Sequence, residues 1–512
     1  MDRVIEELWT FAAETADLEK AGYLLVWDEE THMPSGGLDE RMHQHAAVER
    51  AVQERWASDA LARLLERAAP MAERLDPESD EATLVRVMRR DSDKARRVPE
   101  GLRLEIAACQ TRSFGLWQKA RAERDFGILL GEFERVVDLR RAYAASFDGL
   151  ADPYDALLDD YEPDVTSAEV DAVFAQLKPA LGEVLANLRD ASDAPTAAGG
   201  DTDVLSGRFD PERQRRFVLW LLSHWGFDPE SWRLDQSVHP SQLSLAASDV
   251  RVTGRFDGDG LRGIFGVLHE FGHGLYRRQV ASSLSRSPLR EPPSSALDES
   301  QSRLWENVVG RRMSTWTFAY PRLQEEFPDQ LRAVPLERFY RAMNTVRPTA
   351  VRTVADEVTY GLHIILRYQL ERDLLAGSVA PRDLPDAFAA SMRELLGVEP
   401  RDLTEGVLQD PHWFDLGFGY FPTITLGDVV ALQIWERAES ELGNLDECFE
   451  RGEFRVLVDW LARELHVHGR KFSTPETLRR AAGGPLDAAP YVHYLRTKYG
   501  VDTPLSSTEV RA

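Results

Sequence analysis

Cysteine is nearly absent: Cys109 and Cys448 are the only two in 512 residues. They are too few and too far apart to suggest a disulfide framework or a thiolate metal site, which suits a reducing compartment. No run of apolar residues approaches the eighteen or more that a membrane span needs. The opening MDRVIEELWTFAAETADLEK mixes acids with apolar residues and lacks both a basic n-region and an unbroken apolar h-region. A cytoplasmic protein is expected. Positive charge is also scarce, with 61 Lys and Arg against 86 Asp and Glu and a net charge of −25. Such a balance works against binding phosphate backbones or anionic lipid, so neither nucleic acid nor membrane is an expected partner.

What is present is ordinary globular composition, 43% hydrophobic and 29% charged, in a chain longer than one core usually serves. Apolar residues recur at helical spacing, as in Ile5, Leu8, Trp9, Ala12 and Ala13, and again in Val170, Val173, Phe174, Leu177 and Leu181. Further helical runs are predicted around 124–147, 211–225, 301–318, 357–375, 427–442 and 452–467. The fold class is mostly α, read as one body over 1–512. Loops are predicted at 189–207, rich in small and polar residues, and at 282–298, rich in Ser and Pro. One stretch departs from helical period: LSLAASDVRVTGRF at 243–256 alternates Val250 and Val252 with polar residues and reads as a small β-hairpin. Its edge either receives an extended peptide by strand addition or is purely structural.

The strongest local signal is HEFGH, His269 to His273, inside the apolar run GIFGVLHEFGHGLY. Helical positions i and i+4 differ by about 40° around the axis, so both imidazoles project from one face as zinc ligands. Glu270 sits one step round, where it reaches a water on the metal without joining the coordination sphere and serves as its general base. The competing reading is two histidines filling polar gaps in a buried helix. A catalytic zinc needs a third protein ligand and an open position. DESQSRLWEN at 298–307 offers Glu299, with Asp298 and Glu306 as alternatives on spacing alone. Two neutral imidazoles and one carboxylate leave a site of net charge +1, acidic enough to bring bound water toward neutrality.

The chain resembles the carboxypeptidase Taq family of zinc carboxypeptidases, a gluzincin group. The resemblance runs nearly end to end, in LLVWDEETHMPSGG at 24–37, DPYDALLDDYEP at 152–163, DVRVT at 249–253, HEFGH at 269–273, ESQSRLWENVVG at 299–310, VRTVADEVTY at 351–360, GVLQDPHW at 406–413 and FGYFPT at 418–423. It implies a large helical body with a deep central groove and a small sheet beside the HExxH helix. It implies one Zn2+ per chain, replaceable by Co2+, held by His269, His273 and Glu299, and a homodimer. The implied activity is release of single C-terminal residues from peptides, with broad preference and poor action at proline.

A carboxypeptidase must grip a free terminal carboxylate, and the planar guanidinium fork suits that task. Arg352 in VRTVAD is the first candidate and Arg251 in DVRVT the second. His412 in DPHW and Tyr420 in FGYFP are candidates to stabilise the developing oxyanion. Asp356 is a candidate to orient a ligating imidazole, and His239 in SVHP to touch substrate. HExxH with a distal Glu also fits an endo-acting oligopeptidase, or a zinc-bound, catalytically weak peptide-binding protein. Three positions depart from the family pattern: Asp298 stands where HESQ has His, Ser241 where HPF has Phe, and Ile424 where FPTY has Tyr. Losing an imidazole and two aromatics near the cleft is expected to alter substrate range or pH dependence.

Overall fold

A computed structural model describes residues 3–190 and 202–501. Most of the expected 189–207 loop lies outside them. Helices dominate, as the periodicity requires, and their ends follow the local chemistry. Asp210 accepts the N–H of Arg213 at the start of the helix Pro211–Trp225, which stops at Gly226 in the left-handed region. The other long runs fall at Gly127–Ala144, Glu357–Ala376, Phe421–Leu442 and Arg455–Glu464. Among the described residues no helix is long and apolar enough to cross a membrane.

Five helices shape the site: α1 (Arg3–Thr31), α2 (Arg262–Gln279), α3 (Ser295–Arg303), α4 (Glu357–Ala376) and α5 (Phe421–Leu442). Helix α5 runs through the core, with every residue from Phe421 to Trp435 buried. A helix apolar on all sides needs neighbours on all sides, and α3 and α4 are two of them. The segment 301–318, expected as one helix, is broken. Helix α3 passes into a π-helical turn at Leu304–Val309, and a separate helix begins at Met313.

The expected hairpin is part of a three-stranded sheet of order β1-β3-β2, formed by β1 (Trp232–Gln236), β2 (Gln242–Ala246) and β3 (Asp249–Gly254). β2 pairs antiparallel with β3, Gln242 opposite Val252, and β1 pairs parallel with it, Trp232 opposite Val250. The sheet packs on α2 through Val250 and through Trp232, whose indole stacks on Phe271 with ring centroids 5.1 Å apart. The expected loop at 282–298 consists of two short 3-10 turns, but it ends early because Ser294 caps α3 by accepting the N–H of Leu297. It is packed rather than loose: Arg290 is buried and donates to the Ser244 carbonyl on β2.

Candidate metal centre and surrounding cleft

His269 and His273 sit one turn apart on α2, their ring centroids 5.0 Å apart and nearly perpendicular. Helix α3 brings Glu299 against both. Its Oε1 lies 3.8 Å from His269 Nε2 and its Oε2 lies 3.5 Å from His273 Nε2. One ligand atom from each of the three falls within 4.8 Å of the others. Two glycines permit this approach. A Cβ on Gly272 would stand 2.3 Å from the Gln301 carbonyl oxygen on α3, and one on Gly427 of α5 would stand 2.7 Å from Glu299 Cγ. The backbones of α2 and α5 therefore clamp α3 from two sides, and a larger residue at either contact would have to push the helices apart.

Each imidazole turns its other nitrogen to a carboxylate. His269 Nδ1 is 3.0 Å from Glu306 Oε2, and His273 Nδ1 is 3.1 Å from Asp298 Oδ1. The Glu306 contact is a hydrogen bond, which fixes the His269 ring and raises its basicity, while Asp298 stands at ion-pair distance from His273. Asp298 is itself gripped by both terminal nitrogens of Arg277, at 2.7 and 2.9 Å. Arg303, buried over the Tyr360 ring, donates from Nε to Glu299 Oε1 at 2.9 Å and approaches Glu306. Burial disfavours charge on His273, yet Asp298 and Glu299 overcome it and push that imidazole up to about 10. Burial likewise opposes ionisation of Glu299, but Arg303, His269 and His273 hold its carboxyl well below the usual range. The pocket thus favours added positive charge. Two imidazole nitrogens and one ionised carboxylate facing a common centre are a donor set that fits a divalent transition metal.

Glu270 is buried beside the pair, and burial raises its pKa against the pull of His269 and His273. His239, exposed on the segment after β1, is within electrostatic reach of both Glu270 and His412. The His412 ring stacks on Tyr420 at 5.2 Å with 5° between planes. Burial pushes this imidazole down to about 4, and its Nδ1 has no hydrogen-bond partner. Burial and then the Glu299 charge raise the Tyr420 phenol, which stays protonated. The 411–420 loop that carries both rings is held by buried Glu371, which accepts the Trp413 indole N–H at 2.8 Å and the Gly419 amide at 3.0 Å.

Arg352 donates from Nη1 to the hydroxyl of Tyr360, whose ring lies under Arg303. It is also tied to Asp410, donating from Nε and Nη2 at 3.1 and 2.8 Å. Arg251 is committed elsewhere. It forms a fork with Asp249 and stacks over Trp27 of α1, and neither partner belongs to the metal cluster.

Asp356 does not orient an imidazole. It caps α4, accepting the N–H groups of Val358, Thr359 and Arg347. The orienting role falls instead to Asp298 and Glu306, which the spacing had offered only as alternative ligands. The three departures from the family pattern also find places. Asp298 supplies the His273 contact, so no partner is lost there. Ser241 donates to Glu30 of α1 at 2.6 Å and its amide to Thr253 at 2.9 Å. Ile424 is buried in the α5 core at 3% exposure. Arg303 was missed altogether, although its i+4 spacing from Glu299 was a readable signal.

A sequence profile of the family described as Carboxypeptidase Taq (M32) metallopeptidase matches residues 7–499. The chain is similar to thermostable carboxypeptidase 1 of Thermus thermophilus, 39% identical with 96% of this chain and 98% of that one covered. It is also similar to carboxypeptidase 1 of Bacillus subtilis, 32% identical with 96% and 99% covered. Among solved structures, a Pyrococcus furiosus carboxypeptidase superposes with a TM-score of 0.93 at 31% identity, covering 98% of this chain and 99% of that one. An M32 carboxypeptidase from Deinococcus radiodurans R1 gives 0.92 at 36% identity, with 98% and 99% covered.

Proposed function

Because this chain belongs to the carboxypeptidase Taq (M32) metallopeptidase family, we propose that it releases single residues from peptides with a free C-terminus, using one zinc ion held by His269, His273 and Glu299. The observation that carries the reading is the convergence of two Nε2 atoms and one carboxylate beside Glu270. Bound there, zinc supplies a Lewis acid that polarises the scissile carbonyl and acidifies water, and Co2+ is an acceptable substitute.

The protein's own groups do the rest. Glu270 accepts the proton of the attacking water and delivers it to the departing amine, a task its burial-raised basicity suits. Tyr420, protonated, and His412, neutral, donate hydrogen bonds to the carbonyl oxygen as it gains charge. His239 contacts the substrate backbone nearby. Arg352 fixes the terminal carboxylate; Arg251, already paired and stacked, is the weaker claimant. We assign broad side-chain preference, poor action at proline, a homodimer and a cytoplasmic location on the family resemblance together with the scarcity of cysteine.

Mass spectrometry of a peptide mixture, with and without chelator, tests the reading. Ladders shortened one residue at a time from the C-terminus, abolished by chelator and absent for amidated peptides, are expected. Internal cleavage of amidated peptides, or turnover indifferent to chelator, would overturn it. Glu270→Gln should retain zinc and lose about 100-fold or more in kcat.

A further inference from the structure

Three buried side chains form a charge group that the mechanism above uses only in part. Asp410 lies between two arginines. Its Oδ1 accepts from Arg352 Nε and Nη2, while its Oδ2 lies 2.7 Å from Arg367 Nε and 2.5 Å from Arg367 Nη2. Arg367 comes from α4 and is 1% exposed, with Nη1 donating to the His363 carbonyl. Both guanidinia lean on the buried Phe421 ring at the start of α5, at 5.5 and 5.4 Å from its centroid. Gln409 locks the assembly, accepting the Arg352 amide at 2.9 Å and donating to the Ala350 carbonyl at 3.1 Å.

Two cations share one anion, so the group carries one unbalanced positive charge in a site with little water to screen it. Such an excess is costly alone and strongly attracts a single negative charge. The donor inventory agrees. A guanidinium has five N–H groups in two forks. Asp410 takes the Nε/Nη2 edge of Arg352, and Tyr360 takes one donor of Nη1. One donor each on Nη1 and Nη2 remains for a further negatively charged acceptor.

We infer that the receptor for the substrate's terminal carboxylate is the whole Arg352–Asp410–Arg367 group, with Arg367 a positioning residue that acts through Asp410: Asp410 holds Arg352 in place with its remaining donors unspent, and Arg367 supplies the charge that the incoming carboxylate neutralises. This rests on the reading that Arg352 receives that carboxylate. Without Arg367, Asp410 would cancel Arg352 and the substrate would meet a neutral ion pair.

The test compares a peptide free acid with its C-terminal amide on the zinc-loaded full chain. Arg367→Met should raise KM for the free acid by about tenfold or more, hold kcat within about threefold, and leave zinc content unchanged. The double variant Arg367→Met/Asp410→Asn restores the net charge of +1 on Arg352 and should bring KM back to within about threefold of the parent. It also removes the buried ion pair as a unit, so it decides the matter if the single variant does not fold. A purely structural role would leave the double variant as impaired as the single one, and that result overturns the inference. An unchanged KM in Arg367→Met also overturns it. Should the parent itself fail to distinguish acid from amide, the reading of Arg352 falls as well; discrimination retained in Arg367→Met removes the inference alone.

Discussion

The contact between α2 and α3 at Gly272 sets how close Glu299 comes to the imidazoles, and Gly272→Ala perturbs it directly. The added Cβ would lie 2.3 Å from the Gln301 carbonyl oxygen, 2.6 Å from its carbon and 2.7 Å from Ser302 Cα, all backbone atoms. No rotamer relieves such a clash, so the helices must part by about 1 Å to regain ordinary contact distance. Overpacking of this kind costs about 1–3 kcal/mol in stability. The same displacement acts on Glu299, whose oxygens stand only 3.5 and 3.8 Å from the two Nε2 atoms. A metal affinity lower by about 10–100-fold is expected, comparable to the loss of an orienting partner. Gly266→Ala on the same helix is the control, since its Cβ would meet nothing nearer than Pro240 Cγ at 3.5 Å; it should leave metal affinity unchanged and not lower stability. Urea denaturation gives the first quantity and chelator competition the second. If Gly272→Ala bound zinc as tightly as the parent, the claim that this close approach builds the site would be wrong.

Glu306→Gln removes the carboxylate facing His269 Nδ1 and should weaken zinc binding by about 10–100-fold in the same competition assay; unchanged affinity would deny Glu306 its orienting role. Tyr420→Phe should lower kcat by about 100-fold with little change in KM, and an unaltered kcat would remove Tyr420 from oxyanion stabilisation. Burial pushes Glu371 up to about 7 despite its donors Tyr154, Gly419 and Trp413. A raised carboxyl binds its proton more tightly folded than unfolded, so the contribution of Glu371 to stability should fall as pH rises from about 4.5 to 7, by about 3 kcal/mol. Denaturation midpoints of Glu371→Gln should gain on those of the parent as pH rises across that window; a difference between the two that does not change with pH would exclude Glu371 as a source.

Features that depend on period were readable from the chain. The long helices announce themselves through apolar residues three and four apart, and the His269/His273 pair through i, i+4 geometry. Glu299 needed more than spacing, because Asp298 and Glu306 lie as near in sequence and all three are used, one facing the imidazole Nε2 atoms and two facing Nδ1. Strand β1 escaped notice because WRLDQ is five residues long and alternates only Trp232 and Leu234 as buried positions. The π-turn at Leu304–Val309 leaves no mark in hydrophobic pattern. Asp356 was misjudged although its place just before an apolar helix is the usual signature of a cap. Buried ion groups such as Arg352, Asp410 and Arg367 join residues 43 and 58 positions apart, a relation only tertiary packing supplies.

The most direct measurement is anomalous diffraction at the zinc edge from metal-loaded crystals. A single peak about 2.0–2.2 Å from His269 Nε2, His273 Nε2 and a Glu299 oxygen is predicted. A peak ligated instead by Asp298 or Glu306, or no peak between α2 and α3, would contradict the assignment on which the proposed chemistry stands.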